Sequence, residues 1–435
     1  MKQGYLEYKE SGYEWLGEIP LHWELKKAKW SFKEKSIKGY PDELLLSVSK
    51  GKGVIPRGEL ENKTVMAFKD LQNFKLVLPE DFVIHLRSFQ SGFEMSMNKG
   101  IVSPAYTVFS CKNGLLPSYY KFLFYMQNFI DAIASTTQSL RDGKPIAYRD
   151  FSNMVLPFPK YNEQVKIANF LKVKLKEVDN LIYTKKKLIL LLEQQRQSII
   201  TEAVTKGLNP NVKMKDSGVE WIGEIPEHWD TKKIKYLIQE KLLYGANESA
   251  ELDDEKLPRY IRITDIDELG NLKNETFKSI PLDIANKYVV KKGDILLARS
   301  GATVGKSYIH KEEKEASYAG YLIKLRARTL ELAEYIYYFT NSSLYKQWIN
   351  SILIQATIQN VSAEKYANLS IPVPNNENEI KSILLNIKFK EKEILEVINK
   401  LKEQIEKLKE YRQSLIYEAV TGKIDVRDME LDEVR

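Results

Sequence analysis

Apolar positions along the chain follow two different rhythms. Over residues 168–203 they step by alternating threes and fours, through Ala168, Leu171, Leu175, Val178, Ile182, Ile189, Leu192, Ile199 and Ala203. The same stepping returns over residues 384–419, through Leu384, Ile387, Ile394, Ile398, Leu401, Ile405, Leu408, Leu415 and Ala419. A heptad kept without a gap for this long predicts a coiled-coil helix in each stretch, because it holds one apolar seam on one side of the helix. Lys185, Arg196, Glu391 and Arg412 interrupt the two seams, and polar seam residues fix register at some cost in stability. Pro157, Pro159, Pro372 and Pro374 stand just ahead of the helices, where they break nothing, and Gly207 and Gly422 stand where each should stop.

Between the helices the rhythm shortens. Runs at 44–48, 82–86, 106–109, 260–264, 294–298 and 320–325 are β-rich and separated by Gly and Pro, which predicts short strands. Residues 116–134 and 330–349, rich in Tyr and Phe, read as helices. Each such region is therefore expected to be a compact unit of mixed helix and strand.

The chain also repeats itself. KESGYEWLGEIPLHWELKK at 9–27 returns as KDSGVEWIGEIPEHWDTKK at 215–233. LEQQRQSIITEAVT at 192–205 returns as LKEYRQSLIYEAVT at 408–421, and FSNMVLPFP at 151–159 as YANLSIPVP at 366–374. Three markers in the same order at nearly constant spacing make a tandem duplication. The stretches between markers barely resemble one another, as expected of one scaffold carrying two different readers. The fold class is α/β (α+β), divided at 1–158, 159–208, 209–373 and 374–435. The two helices would most economically pair with each other, antiparallel and about a pseudo-twofold axis. The alternative is two separate helices, each lying on its own domain.

Composition adds limits. Lys and Arg number 66 against 59 Asp and Glu, and the net charge of +7 suits a polyanionic partner without demanding one. Cys111 is the lone cysteine, which excludes an internal disulfide and a multi-thiolate metal site. His22, His85, His228 and His310 are scattered singly, with no metal-ligand spacing. The first residues lack the apolar core of a secretory leader, and no apolar run could span a membrane, so a cytoplasmic protein is expected.

Basic and amide side chains gather in the glycine-bearing loops. Lys52 and Arg57 flank one such stretch, and Arg87, Ser88 and Gln90 lie in another. The second half offers Arg259 and Arg262, then Arg299, Ser300, Gly301, Thr303 and Lys306 in the loop ARSGATVGKS. An arginine fork matches guanine O6 and N7, Gln matches adenine, and Ser, Thr and Lys mostly meet phosphates. The rival reading of these loops is a solvated surface. GATVGKS also looks like a phosphate-cradling P-loop, but only three residues separate its glycines and a β-like run follows it where a helix must open. No adenine methyltransferase motif, dinucleotide fingerprint or nucleophile elbow occurs. Trp15, Trp23, Trp221 and Trp229, paired around GEIP in each copy, read as packing the opening motif onto the helices.

The duplicated WLGEIP…HW resembles the start of each half of type I restriction-modification specificity subunits. YIRITDI…GNL (260–272) with GDILLARSGATVGKS (293–307) looks like a target recognition domain of that family, and the segment at 135–159 is similar to the one that closes such a domain. The resemblance covers nearly the whole chain, although the first domain's counterpart to ARSG reads LRSF at 86–89. It implies that each target recognition domain reads one half of a bipartite, asymmetric site in double-stranded DNA. The helices would act as a ruler of roughly 60 Å, from roughly forty residues at about 1.5 Å each, long enough to place readers a DNA turn apart. It further implies docking of two methylation subunits and of restriction subunits. S-adenosylmethionine, ATP and Mg would then belong to those partners, with no cofactor and no catalytic site in this chain. A scaffold or adaptor without DNA readout is the alternative.

Overall fold

The computed structural model describes residues 4–60, 70–85, 92–136, 146–267, 270–354 and 360–429. The chain divides into two compact units, residues 1–185 with 403–435, and residues 186–402. This grouping cuts through the middle of both long helices, Tyr161–Lys206 and Glu377–Val420.

Each unit is built to the same plan. In the first, the opening hairpin pairs Tyr8–Glu10 with Glu18–Pro20, and Glu24–Lys27 then pairs antiparallel with Val155–Phe158, the strand that feeds the central helix. A four-stranded sheet follows in the order Phe32–Lys35, Thr107–Cys111, Phe82–Ile84, Phe93–Met95. In the second unit the hairpin is Met214–Asp216 with Glu224–Pro226, and Trp229–Lys233 pairs with Ser370–Pro374. Its four-stranded sheet runs Leu243–Tyr244, Leu322–Leu325, Ile295–Ala298, Ser307–Ile309. The strand order is the same in both, so the duplication extends into stretches whose sequences have diverged.

The helical seam is as the periodicity predicts. All of the stepping positions, polar ones included, are buried or half-buried. In the first unit Asp179 accepts from Arg412 Nε at 3.1 Å and Lys185 Nζ donates to Gln404 Oε1 at 2.8 Å. One residue number rises as the other falls, so the helices run antiparallel there. In the second unit Arg196 meets Glu391 at 3.5 Å, and Ile200, Ala203 and Val204 share a core with Ile380, Ile383, Leu384 and Ile387. The polar seam residues thus find partners across the pair.

Two expected helices are broken. The run at 116–134 is Pro117–Phe124 and Gln127–Thr136, and the run at 330–349 is Leu330–Phe339 and Ser343–Ile354. The second break falls on Thr340-Asn341-Ser342, whose short polar side chains bond local backbone: Thr340 Oγ1 and Asn341 Nδ2 both donate to Tyr337 O, and Tyr345 N donates to Ser342 Oγ.

The reason the opening motif recurs is visible at the helix ends. Trp23 is buried, and its Nε1 donates at 3.0 Å to Glu163, in the first turn of the central helix. Trp229 does the same at 3.0 Å to Glu379, in the first turn of the distal helix. His22 and His228 join the same carboxylates at 3.0 and 2.9 Å. On its other side each Trp ring covers the glycine that ends the opposite helix. A Cβ on Gly422 would stand 3.1 Å from Trp23, and one on Gly207 3.2 Å from Trp229. Both glycines have positive φ, so they serve as helix stops as well as seats for the rings. Trp15 is buried against Phe129, and Trp221 packs toward Phe339.

Candidate nucleic-acid interface

In the second unit, the strand Ile295–Ala298 and the strand Ser307–Ile309 are joined by a loop at 299–306. Gly305 N to Ala298 O at 3.0 Å and Ala298 N to Lys306 O at 2.8 Å close the loop at its base. Gly301–Thr303 forms a single 3-10 turn at its tip. Gly301 has φ 74° with open space around it. A strand leaves the loop where a phosphate-cradling helix would have to begin, so the geometry is not that of a P-loop.

This loop holds Arg299, Ser300, Gly301, Thr303 and Lys306 together. Arg299 is fixed through its backbone, with N to Tyr321 O at 3.0 Å and O from Val361 N at 2.8 Å. Its guanidinium lies 4.6 Å over the Tyr244 ring, and its Nε is buried with no hydrogen-bond partner. Ser300 pairs with Asn360 in an isolated bridge. Lys306 Nζ donates to Ile266 O at 2.8 Å, tying the loop to the neighbouring 3-10 turn Ile263–Asp265.

Arg259 and Arg262 stand differently. Arg262 donates from Nε and a terminal nitrogen to Asp265 at 3.0 and 2.6 Å, and again to Thr276 O at 3.0 Å. Asp265 is fully buried. Arg259 donates to Lys273 O at 2.5 Å and lies over Phe277. The Arg262 fork is engaged by the protein's own loop around 263–277, and Arg259 gives one terminal nitrogen to the same loop. Arg262→Ala is therefore expected to lower the melting temperature of this unit, at a cost of about 2 kcal/mol, while leaving the preferred DNA sequence unchanged. A thermal melt paired with a binding-site selection checks this, and a changed sequence preference at unchanged stability would refute it.

In the first unit the counterpart loop joins Phe82–Ile84 to Phe93–Met95, and Arg87, Ser88 and Gln90 lie in it outside the described residues. Beside its base stands a second hairpin, Leu46–Ser49 with Gly53–Pro56. Lys52 is exposed on the turn of that hairpin, and Arg57 is half-buried where it runs into the 3-10 turn Arg57–Glu59. Glu94 joins the two features. It is buried, accepts from Gly51 N at 2.6 Å and from Tyr125 Oη at 2.5 Å, and so clamps the lysine-bearing turn. Gly53, at φ 92°, leaves no room for a side chain, since a Cβ would stand 2.9 Å from Met95 O.

Burial pushes the Glu94 carboxyl above its ordinary value, against the pull of Tyr125 and the Gly51 amide. A raised folded-state pKa means that the folded protein holds this proton more tightly than the unfolded chain. The group's contribution to stability therefore falls as pH rises from 4.5 through the folded value. Glu94→Gln is expected to flatten that fall, which melts recorded across the acidic range would detect as a smaller loss on raising the pH.

Sequence reasoning missed Glu94, Tyr244 and Tyr321. Tyr321 is 71% exposed beside Arg299 and Tyr244 lies beneath its guanidinium. The available signal was glycine. Gly245 and Gly320 adjoin these tyrosines, and a Cβ on either would collide with backbone or with Asn247 at 2.4 Å or less.

Each unit is a small sheet that presents a basic, glycine-bearing loop, one plan used twice. A family model described as the type I restriction modification DNA specificity domain matches residues 226–415. The chain is 27% identical over 376 residues to the type I restriction enzyme MjaVIII specificity subunit of Methanocaldococcus jannaschii, covering 83% of each. Among solved structures it matches, at TM-score 0.70 and 13% identity, a chain from work on complex assembly and conformational transition of the type I R-M system, covering 93% of this chain and 99% of that one. It matches the HsdS subunit from Thermoanaerobacter tengcongensis at TM-score 0.51 and 13% identity, covering 95% of this chain and 100% of that one. Over most of its length the chain is thus similar to type I restriction-modification DNA-specificity subunits.

Proposed function

We propose that this chain gives a type I restriction-modification complex its DNA sequence specificity by reading a bipartite, asymmetric site, one half per unit. The observation that carries this is a single reader plan used twice with different loops: the same four-strand order in both units, but ARSGATVGKS at 298–307 in one and LRSFQSG at 86–92 in the other. Two unlike readers on one frame give two unlike half-sites. In the second unit Arg299 supplies base-edge recognition, while Ser300, Gly301, Thr303 and Lys306 meet the phosphate chain. In the first unit Lys52, Arg57, Arg87, Ser88 and Gln90 take these roles.

The chain itself carries no catalysis. Two methylation subunits would dock on it and bind S-adenosylmethionine, and restriction subunits would supply ATP- and Mg-dependent cleavage.

The test is to co-express the chain with its methylation subunit and map methylated adenines on host DNA. One split motif with an unread gap is the expected outcome. Exchanging residues 28–155 for those of another such chain should then change one half of that motif and leave the other intact. Methylation without this chain, or a motif with no gap, would sink the reading.

A further inference from the structure

The repeat runs further than the opening motif. Lys26-Lys27-Ala28-Lys29-Trp30 in the first unit matches Lys232-Lys233-Ile234-Lys235-Tyr236 in the second. The burial pattern is also the same: Ala28 and Ile234 are buried anchors, and the residues after them turn outward on a single helical turn. Trp30 is 67% exposed and Tyr236 59%. A lysine ammonium sits over each ring, Lys29 at 5.2 Å and Lys235 at 5.3 Å. Nothing in the fold requires a bare indole and a bare phenol at matching places. The surrounding reader sequences have diverged, whereas this pair has not.

The charge is left in surplus. Glu24 meets Lys26 at 2.6 Å and Asp230 faces Lys232 at 3.9 Å. Among the described residues, Lys27, Lys29, Lys233 and Lys235 have no carboxylate within ion-pair distance, and Lys235 reaches only Asn368. An aromatic ring inside a rim of lysines fits an acidic surface that offers a pocket for the ring.

Strand register separates the patch from DNA reading. In the first unit Phe32 pairs with Cys111, whereas the loop at 85–92 springs from Ile84, opposite Thr107. Trp30 therefore lies beyond the far end of the sheet, about 17 Å along a five-residue strand from the loop. In the second unit Ile238 pairs with Ala327, and the loop at 299–306 leaves opposite Leu322. The patch is again at the end away from the reader.

We infer that Lys27, Lys29 and Trp30, and their copies Lys233, Lys235 and Tyr236, are two equivalent docking patches for an acidic protein surface, one copy of the partner per unit. This rests on the proposed function in one respect, that the partner is the methylation subunit. A partner that must be the same for both halves explains why the patch is kept while the readers differ.

The test uses the full chain with its own methylation subunit and native mass spectrometry. Two partner copies are expected on the wild-type chain. The paired change Lys29→Glu with Trp30→Ala should leave one, the pair Lys235→Glu with Tyr236→Ala should also leave one, and all four together none, with affinity per site down roughly tenfold or more. Trp30→Phe and Tyr236→Phe keep the ring and should retain both copies, and circular dichroism melts identify any variant that has failed to fold. Two copies bound at unchanged affinity by the folded fourfold variant would overturn the inference. So would a loss of DNA affinity with the two copies still in place, since the patches would then be phosphate contacts. A wild-type chain that binds no methylation subunit would instead overturn the function proposed above, and this partner with it.

Discussion

Replacing Glu163 with alanine is expected to destabilise the first unit by about 3 kcal/mol, and Glu379→Ala the second by about 1 kcal/mol. The two carboxylates do the same job in different surroundings. Glu163 is 5% exposed and accepts from Tyr5 Oη at 2.5 Å, Trp23 Nε1 at 3.0 Å and His22 at 3.0 Å. Alanine would leave two buried donors with no acceptor, and each orphan costs about 1–3 kcal/mol before relief from no longer burying the carboxylate. Arg427, which lies 4.8 Å over the Tyr5 ring and is paired with Asp425, would lose part of its support. Glu379 has a side chain 27% exposed and holds Trp229 at 3.0 Å beside a half-exposed His228. Water can take over part of its role, which accounts for the smaller cost. Urea melts with hydrogen exchange read at the two Trp indoles resolve the units separately. Equal costs for both variants, or less than about 1 kcal/mol for Glu163→Ala, would mean that the opening motif is not held by these carboxylates.

Much of this architecture was legible before any coordinates. The seam positions, the antiparallel helix pairing and the repeat are periodic features, and periodicity survives without knowledge of partners. The strands at 294–298 and 106–109 differ from the observed Ile295–Ala298 and Thr107–Cys111 only at their ends. What was not legible depends on residues far apart in sequence. The sequence did not show that the Arg262 fork is held by Asp265 and Thr276 O. Glu94 carried no signal of its own, because its partners Gly51 and Tyr125 lie 43 and 31 residues away. Lys306, read as a phosphate contact, also reaches across 40 residues to Ile266 O, so it positions the loop as well as charging it. The matching Lys-aromatic pair was in plain view at the edge of the repeat. It was passed over because alignment by identity stops at Lys27 and Lys233, whereas the shared property of Trp30 and Tyr236 is exposure.

Arg299→Ala is expected to cost about 1–3 kcal/mol of DNA binding, a loss of roughly tenfold to a hundredfold, and to relax specificity at one base position in one half-site. Arg299 differs from its neighbours in what the fold leaves free. Arg262 spends its donors on Asp265 and Thr276 O and Arg259 gives a terminal nitrogen to Lys273 O, whereas Arg299 is anchored through its backbone and its guanidinium lies over Tyr244. Stacking on a ring holds the guanidinium plane without using its N–H groups. A fork held over the ring in this way loses little freedom when it meets the O6 and N7 of guanine. Tyr244→Ala should therefore weaken binding in the same direction and by a smaller factor, since it removes the platform and leaves the donors. Lysine at position 299 keeps the charge but cannot reproduce the fork, so Arg299→Lys should retain affinity for unrelated DNA while losing discrimination at that base. Competition binding against sites that vary each base in turn separates these outcomes. Uniform weakening across all sequences, accompanied by a salt dependence shallower by about one phosphate contact, would reassign Arg299 to the backbone and leave the base reading of this half to other side chains.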